Sequence, residues 1–460
     1  MPIPRTALAA AALAALAAFR PPSARADEES LRRELEEKMK QALDDMERRH
    51  RAEMDALRRE MEASRAAPPS ALQEQIDRLA DSVDEMKSRV PAAPPRPGAF
   101  RLVDFSLNGL FAAGTATERD SVIQELQQGG HDPKKRGFTV QNVELIATGA
   151  VDPYFTAQTS VIFQIDEEGE TLVELEEAFA TSTSLPWGLQ AKAGQYFTSF
   201  GRHNPQHPHQ WDFVDAPVVN ARLLGPDGLR GPGAQVSWLG ADVPLEFVGS
   251  VQNANGETAV SFLGTEEEEP PAGDFVEREV RSLSDLVWTG RAAVSFDASD
   301  EIPLLFGTSY AYGPSGSSSG GSSRVFGADV TAKWKPLDAE AGFPFVSFRA
   351  EWLHRDYEFD DAGATDELSD GGWYAQATWG FTRNWTLGVR FDAFDGDFGG
   401  ETPGLDDRTR WSAALTLYTS EFAKLRLQVN HDDADALDDD VTSVWLQLEW
   451  NLGPHGAHKF

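Results

Sequence analysis

From Phe100 to the C-terminus, apolar and polar positions alternate with a period of two, the pattern of strands whose two faces meet different surroundings. In TSVWLQLEWNLG, Val444, Leu446, Leu448, Trp450 and Leu452 share one face; Ser443, Gln447, Glu449 and Asn451 share the other. Val346, Phe348, Ala350 and Trp352 alternate with Ser347, Arg349 and Glu351. Phe326, Ala328, Val330, Ala332 and Trp334 alternate with Asp329, Thr331 and Lys333. Leu425, Leu427 and Val429 alternate with Lys424, Arg426, Gln428 and Asn430. These segments run about ten to thirteen residues, against roughly five or six for ordinary strands. Aromatics gather at their ends, as at Trp373, Phe381, Trp385 and Phe394. Charge at every second position opposite a clean apolar row suits a wall with lipid outside and water inside.

Strands are predicted to start near residues 101, 138, 154, 171, 187, 232, 243, 286, 302, 324, 343, 371, 385, 410, 422 and 441. An extra hairpin at 257–264 would raise the sixteen to eighteen. Every second connection is short: 151–153, 185–188, 240–242, the Asp300 region, 335–342, 383–384 and 419–421. Most of the others are long, notably 113–137, 198–231 and 253–285. Short turns on one side and long loops on the other are the habit of outer-membrane barrels. The expected fold is therefore an all-β transmembrane barrel of about 16 antiparallel strands, over residues 100–460.

A different pattern precedes it. Residues 1–26 read as a signal peptide, with Arg5, an Ala/Leu-rich stretch and the small-residue site Ala24-Arg25-Ala26. Over 27–90, Met39, Leu43, Met46, His50, Met54, Leu57 and Met61, then Leu72, Ile76, Leu79, Val83, Met86 and Val90, follow a heptad seam. A periplasmic coiled coil is expected there. The Pro-rich linker at 91–99 cannot continue a helix.

Composition narrows the choices. With 41 Lys+Arg against 74 Asp+Glu, the net charge of −33 argues against nucleic acid as a partner. The chain has no cysteine, which removes disulfides, thiolate metal sites and Cys nucleophiles. No H-E-x-x-H or P-loop occurs, so no enzyme and no resident cofactor is expected.

The candidate chemistry sits in the loop after the fifth strand, TSFGRHNPQHPHQWDFVDAPVVNARLLGPDGLRG. Arg202, His203, His207, His209, Trp211, Asp212, Asp215, Arg222 and Arg230 are the constriction candidates. Such a loop can fold into the lumen and present these groups to solute. Its imidazoles have three readings: hydrogen bonds that fix the loop, contact with solute, or a metal site using His203, His207 and His209, with Zn²⁺ the natural ion. Lys192, Arg291, Lys333, Arg349, Arg390, Lys424 and Arg426 fall on the lumen face, interleaved with Glu144, Glu246, Asp297, Asp329, Glu351, Asp392 and Glu449. Such mixing points to cross-strand pairing. The acidic stretches at Glu266 and Asp432 are expected in external loops, where they draw cations or, on a weaker spacing argument, hold Ca²⁺. His455 and His458 are expected at the periplasmic rim.

LPWGLQAKAGQYFTSFGRHNP and the ending WNLGPHGAHKF resemble the phosphate-selective porin O and P superfamily of Gram-negative outer membranes. HNPQHPHQWDFVDAP is similar to a branch often labelled zinc-regulated TonB-dependent receptors, a label whose plug and larger barrel 360 residues cannot supply. The resemblance implies homotrimers in outer-membrane lipid and lipopolysaccharide, passage of small hydrophilic solutes, and a terminal Phe460 read by the barrel-assembly machinery. The expected function is a passive porin constricted by the third external loop. Its rivals are a divalent-metal uptake channel using the loop histidines, and a tether whose coiled coil contacts peptidoglycan.

Overall fold

The computed structural model describes residues 103–453 apart from 167–168, 241–242, 267–269, 341, 362–363 and 397–406. The signal peptide, coiled coil and linker, and also His455, His458 and Phe460, lie outside the described residues. The chain divides at Ala99/Phe100, and everything described here belongs to the second unit.

Strands β1 (Val103–Ala116), β2 (Gly137–Ala150), β3 (Phe155–Ile165), β4 (Thr171–Ser182) and β5 (Leu189–Phe197) come first. Then follow β6 (Arg230–Leu239), β7 (Leu245–Asn253), β8 (Leu286–Ser299), β9 (Ile302–Pro314), β10 (Ser322–Trp334) and β11 (Phe345–Asp361). The last are β12 (Ala364–Thr382), β13 (Trp385–Asp395), β14 (Arg408–Ser420), β15 (Ala423–Ala434) and β16 (Val441–Leu452). Each strand pairs antiparallel with the next. β1 then pairs with β16, Ala113 opposite Leu446, and the barrel closes. Two short helices lie in the connections, α1 (Asp120–Leu126) and α2 (Val218–Leu224).

The number of strands is sixteen. At 257–264 there is no hairpin, only an isolated bridge between Asn255 and Gly264. The twelfth strand starts at Ala364 rather than near 371. The β11–β12 hairpin continues past the alternating part of the sequence, with exposed Asp366, Glu367 and Ser369 on a stretch without a regular apolar row. Connections 151–154, 183–188, 240–244, 300–301, 335–344, 383–384 and 421–422 share one end of the barrel; 117–136, 198–229 and 254–285 share the other.

Burial runs opposite to that of a water-soluble domain, where charge lies outside. Leu446, Trp352 and Leu427 are 49%, 47% and 46% exposed, while Glu351, Arg426 and Gln428 are 2%, 1% and 0% exposed. The outer face is thus an apolar surface that lipid would cover, and the inner face is polar and filled. Leu446→Arg, between Ala113 and Leu427 near the middle of β16, is expected to cost about 2–4 kcal/mol in a bilayer. Urea unfolding in liposomes measures it; a change under about 0.5 kcal/mol would count against a lipid-facing wall.

Candidate functional site: a loop lodged in the lumen

Residues 198–229 turn inward and occupy the barrel interior. Gly201 starts the turn with φ of 60°, and an added Cβ would lie 2.5 Å from the Glu351 carboxylate on β11. That close approach lets Glu351 Oε1 accept the backbone N–H groups of Arg202 (2.8 Å) and His203 (2.6 Å), and the Tyr374 hydroxyl (3.0 Å). Pro208 opens a short helical turn, Pro208–Gln210. Pro217 precedes α2, whose seven residues are all buried. Val218, Val219, Leu223 and Leu224 form an apolar core inside the barrel with Phe200, Phe262, Leu263, Val325 and Leu353. This buried face drives the loop inward.

Polar bonds to β13, β14 and β15 fix its position. Asp215, fully buried, faces Arg390 (2.7 Å) and Arg410 (3.4 Å), and accepts from Gln428 (2.9 Å) and Asn430 (2.5 Å). Arg390 also bonds the Asp215 carbonyl (2.9 Å) and pairs with Asp392 (2.7 Å). Arg426 donates to the carbonyls of Trp211 (2.8 Å) and Phe213 (3.1 Å), and Lys424 to that of His209 (3.1 Å). Burial tends to raise the Asp215 pKa, but Arg390 and Arg410 prevail and hold it at about 2. Asp132, in connection 117–136, accepts the Ala216 N–H at 2.8 Å. Burial and the Asp215 charge push its carboxyl up to about 6.

On the opposite wall the loop meets acid. Between β3 and β4 the register passes from Ser160/Glu177 to Val161/Leu175, leaving Glu176 as the extra residue of a bulge. A bulge re-aims side chains, and here Glu176 and Glu177 are both buried. His207 Nδ1 lies 2.9 Å from Glu144 and 2.8 Å from Glu176, and its Nε2 lies 3.0 Å from Glu177. His209 Nδ1 lies 3.0 Å from the other Glu144 oxygen. Burial works against a charged His207 ring, but Glu176 and Glu144 outweigh it and lift its pKa well above the usual imidazole range. His203 is not part of this cluster. Its ring packs on Trp211 at 5.0 Å, and burial with Arg349 and Arg390 keeps it neutral.

The remaining expected residues divide between loop and wall. Asp212 accepts from Gln376 (3.0 Å), Arg222 stacks over Phe394 (4.2 Å), and Arg230 begins β6 and pairs with Glu174. Arg291 forks onto Asp329 (2.5 and 3.0 Å), Arg349 reaches Gln206 (2.8 Å), and Lys424 pairs with Glu449 across the ladder (2.7 Å). Lys192 lies over Phe179 (4.4 Å) and Lys333 over Phe345 (5.1 Å). Asp432 requires a correction. It is not a solvated loop acid but a buried residue of β15, clamped by Arg408 (2.6 Å) and Arg410 (2.7 Å). Sequence reasoning passed over those two arginines, although Arg408, Arg410, Ser412 and Ala414 continue the inward row of β14.

No protein-family model matches this chain. Among solved structures, the outer-membrane channel DcaP of Acinetobacter baumannii is 11% identical with a TM-score of 0.49, covering 76% of this chain and 97% of that one. The anion-selective porin from Comamonas acidovorans is 7% identical with a TM-score of 0.48, covering 76% and 100%. A protein of Aquifex aeolicus (strain VF5), described as uncharacterized, is 31% identical over 399 residues, 79% of this chain and 80% of its own length. At that identity and coverage, the chain belongs to the same family as the Aquifex aeolicus protein.

Proposed function

We propose that this protein is an outer-membrane porin, a passive channel for small hydrophilic solutes or ions in which residues 198–229 form the constriction. The observation that carries the reading is a long connection held inside a closed barrel by buried bonds to facing walls. A barrel meant only as an anchor has no use for so elaborate an internal fixture. The Gram-negative outer membrane and a homotrimer belong to this proposal. The loop covers Arg390, Arg410 and Arg426, whereas Lys192, Arg202, Lys333 and Arg349 remain partly exposed. Solute would therefore pass on the side of β5 to β11.

The described lumen does not present a one-sign ladder. Arg291, Arg390, Arg408, Arg410 and Lys424 each have a carboxylate partner. With a net charge of −33, mild cation preference is expected rather than phosphate selectivity. Planar-bilayer recording under a KCl gradient tests this. Steady steps with a cation-favouring reversal potential are expected. No conductance from folded barrels would defeat the porin reading and leave the tether.

A further inference from the structure

We infer that Glu144, Glu176 and His207 form a site for one divalent first-row transition ion, which clips the lumen loop to the wall. Their candidate ligand atoms, one per residue, lie within 4.8 Å of one another, and all three residues are buried. Ligand atoms about 2.1 Å from a tetrahedral ion sit roughly 3.4 Å apart. The present 2.8–2.9 Å separations from His207 Nδ1 need to open by only about half an ångström, within reach of a glutamate rotation.

The hydrogen bonding is incomplete where the ion would sit. Glu176 Oε1 is buried without a hydrogen-bond partner, and His207 Nδ1, 2.9 and 2.8 Å from two carboxylates, can donate to only one of them. The single Ser160 hydroxyl lies 2.5 Å from Glu144 Oε1 and 3.1 Å from Glu176 Oε2, and it can donate to only one of them. Three carboxylates, counting Glu177, thus converge on one imidazole inside the wall. Concentrated buried negative charge calls for positive charge at its centre, and a dication supplies it.

A cavity of about 30 Å³, bordered by Glu176, Phe197, His203 and Gln206, adjoins the group. It has room for one water as a fourth ligand. Mixed imidazole and carboxylate donors suit Zn²⁺, Co²⁺ or Mn²⁺; Ca²⁺ prefers six to eight oxygens. Glu177 and His209 hold the outer faces of His207 and Glu144, the orienting role that partners of metal ligands play. The ligands join the loop to β2 and β4, so the ion would act as a fastening. The inference is independent of whether the barrel conducts.

The test uses the full mature chain, untagged, folded in detergent and dialysed against EDTA. Calorimetric titration with Zn²⁺ is expected to give one equivalent per chain. Co²⁺ is expected to give visible d–d bands and an imidazole nitrogen signal in pulsed EPR. Glu176→Gln should abolish binding, Ser160→Ala should weaken it roughly 10–100-fold, and His455→Gln/His458→Gln should leave it intact. Heat-modifiable gel mobility verifies that each variant is folded. Should Glu176→Gln not fold, the Co²⁺ spectrum and Ser160→Ala still decide. Absence of stoichiometric binding by the wild type, or binding unchanged in folded Glu176→Gln, would overturn the inference.

Discussion

Asp215→Ala is expected to raise single-channel conductance several-fold and to move the reversal potential toward anions. The barrel wall keeps its own pairs in this variant, because Arg390 retains Asp392 and Arg410 retains Asp432. The loop loses one of its anchors, and the amides of Gln428 and Asn430 lose a buried acceptor. Breaking such a buried group costs about 3–5 kcal/mol. Arg390, Arg408 and Arg410 are balanced by Asp215, Asp392 and Asp432, so removing one acid leaves an excess cation beside the pore. Increased protease cleavage within 198–229 should accompany the change. Wild-type conductance from the variant would show that Asp215 does not hold the constriction.

The same group sets an acid limit. Its carboxyl titrates at about 2 in the folded protein, below its ordinary 3.8, so the attachment it provides is complete above about pH 4 and is lost as the pH falls through 2. Asp132 acts in the opposite sense. Its folded value of about 6 lies above 3.8, so its ionisation opposes attachment as the pH rises through 6. The groups facing Asp215 are Arg390, Arg410, Gln428, Asn430 and Gln127, with Asp132 coupled to it. Loop protection from protease should therefore peak near pH 4 and decline as the pH rises from there through 6.

Gly194→Ala is expected to prevent assembly of the folded barrel. Gly194 has φ of 132°, and an added Cβ would overlap the Ala178 carbonyl and lie 2.7 Å from Phe179 Cα. The backbone strain alone costs about 1–3 kcal/mol, and backbone on the neighbouring strand cannot rotate away as a side chain can. The location makes it worse. The β4–β5 seam runs only from Ala178/Gln195 to Thr181/Lys192. Beyond it, side chains replace the ladder, with the Phe197 N–H donating to Glu177 at 3.1 Å. Loss of the heat-modifiable band is the expected readout, and wild-type refolding yield would refute the argument.

The strand framework was readable from sequence because lipid and lumen impose opposite demands on neighbouring residues. Every expected start except the twelfth falls within two residues of the structure. Where both faces of a strand meet water, as at Ala364–Glu367, the alternation that marks a strand disappears. The loop was recognisable by its composition, and Arg390, Lys424 and Arg426 by their phase in the wall. What periodicity cannot provide is the partner of each inward side chain, which closure of the barrel decides. Glu174, Glu176 and Glu177 of β4 depart from the period of two for a reason that appears only in the structure. The bulge at Glu176 breaks the count of two and brings consecutive acids to the inner face. Arg408 and Asp432 belonged to regular rows but sat where a loop was expected, and so went unpaired.

The placement of the loop within the chain also orders events in time. Its anchoring bonds join residues far apart in sequence: Val218 to Asp392 spans 174 positions, Val214 to Gln428 spans 214, and Asp215 to Asn430 spans 215. Closing such distant pairs is slow, and none can form until β13 to β15 have been synthesised and inserted. A newly made chain therefore carries its future constriction with only the attachments to earlier strands, such as His207 to β2 and β4, within reach while the wall is built around it. Docking is completed only after the last strands arrive, so full resistance to protease would mark finished barrels and single out those stalled before closure.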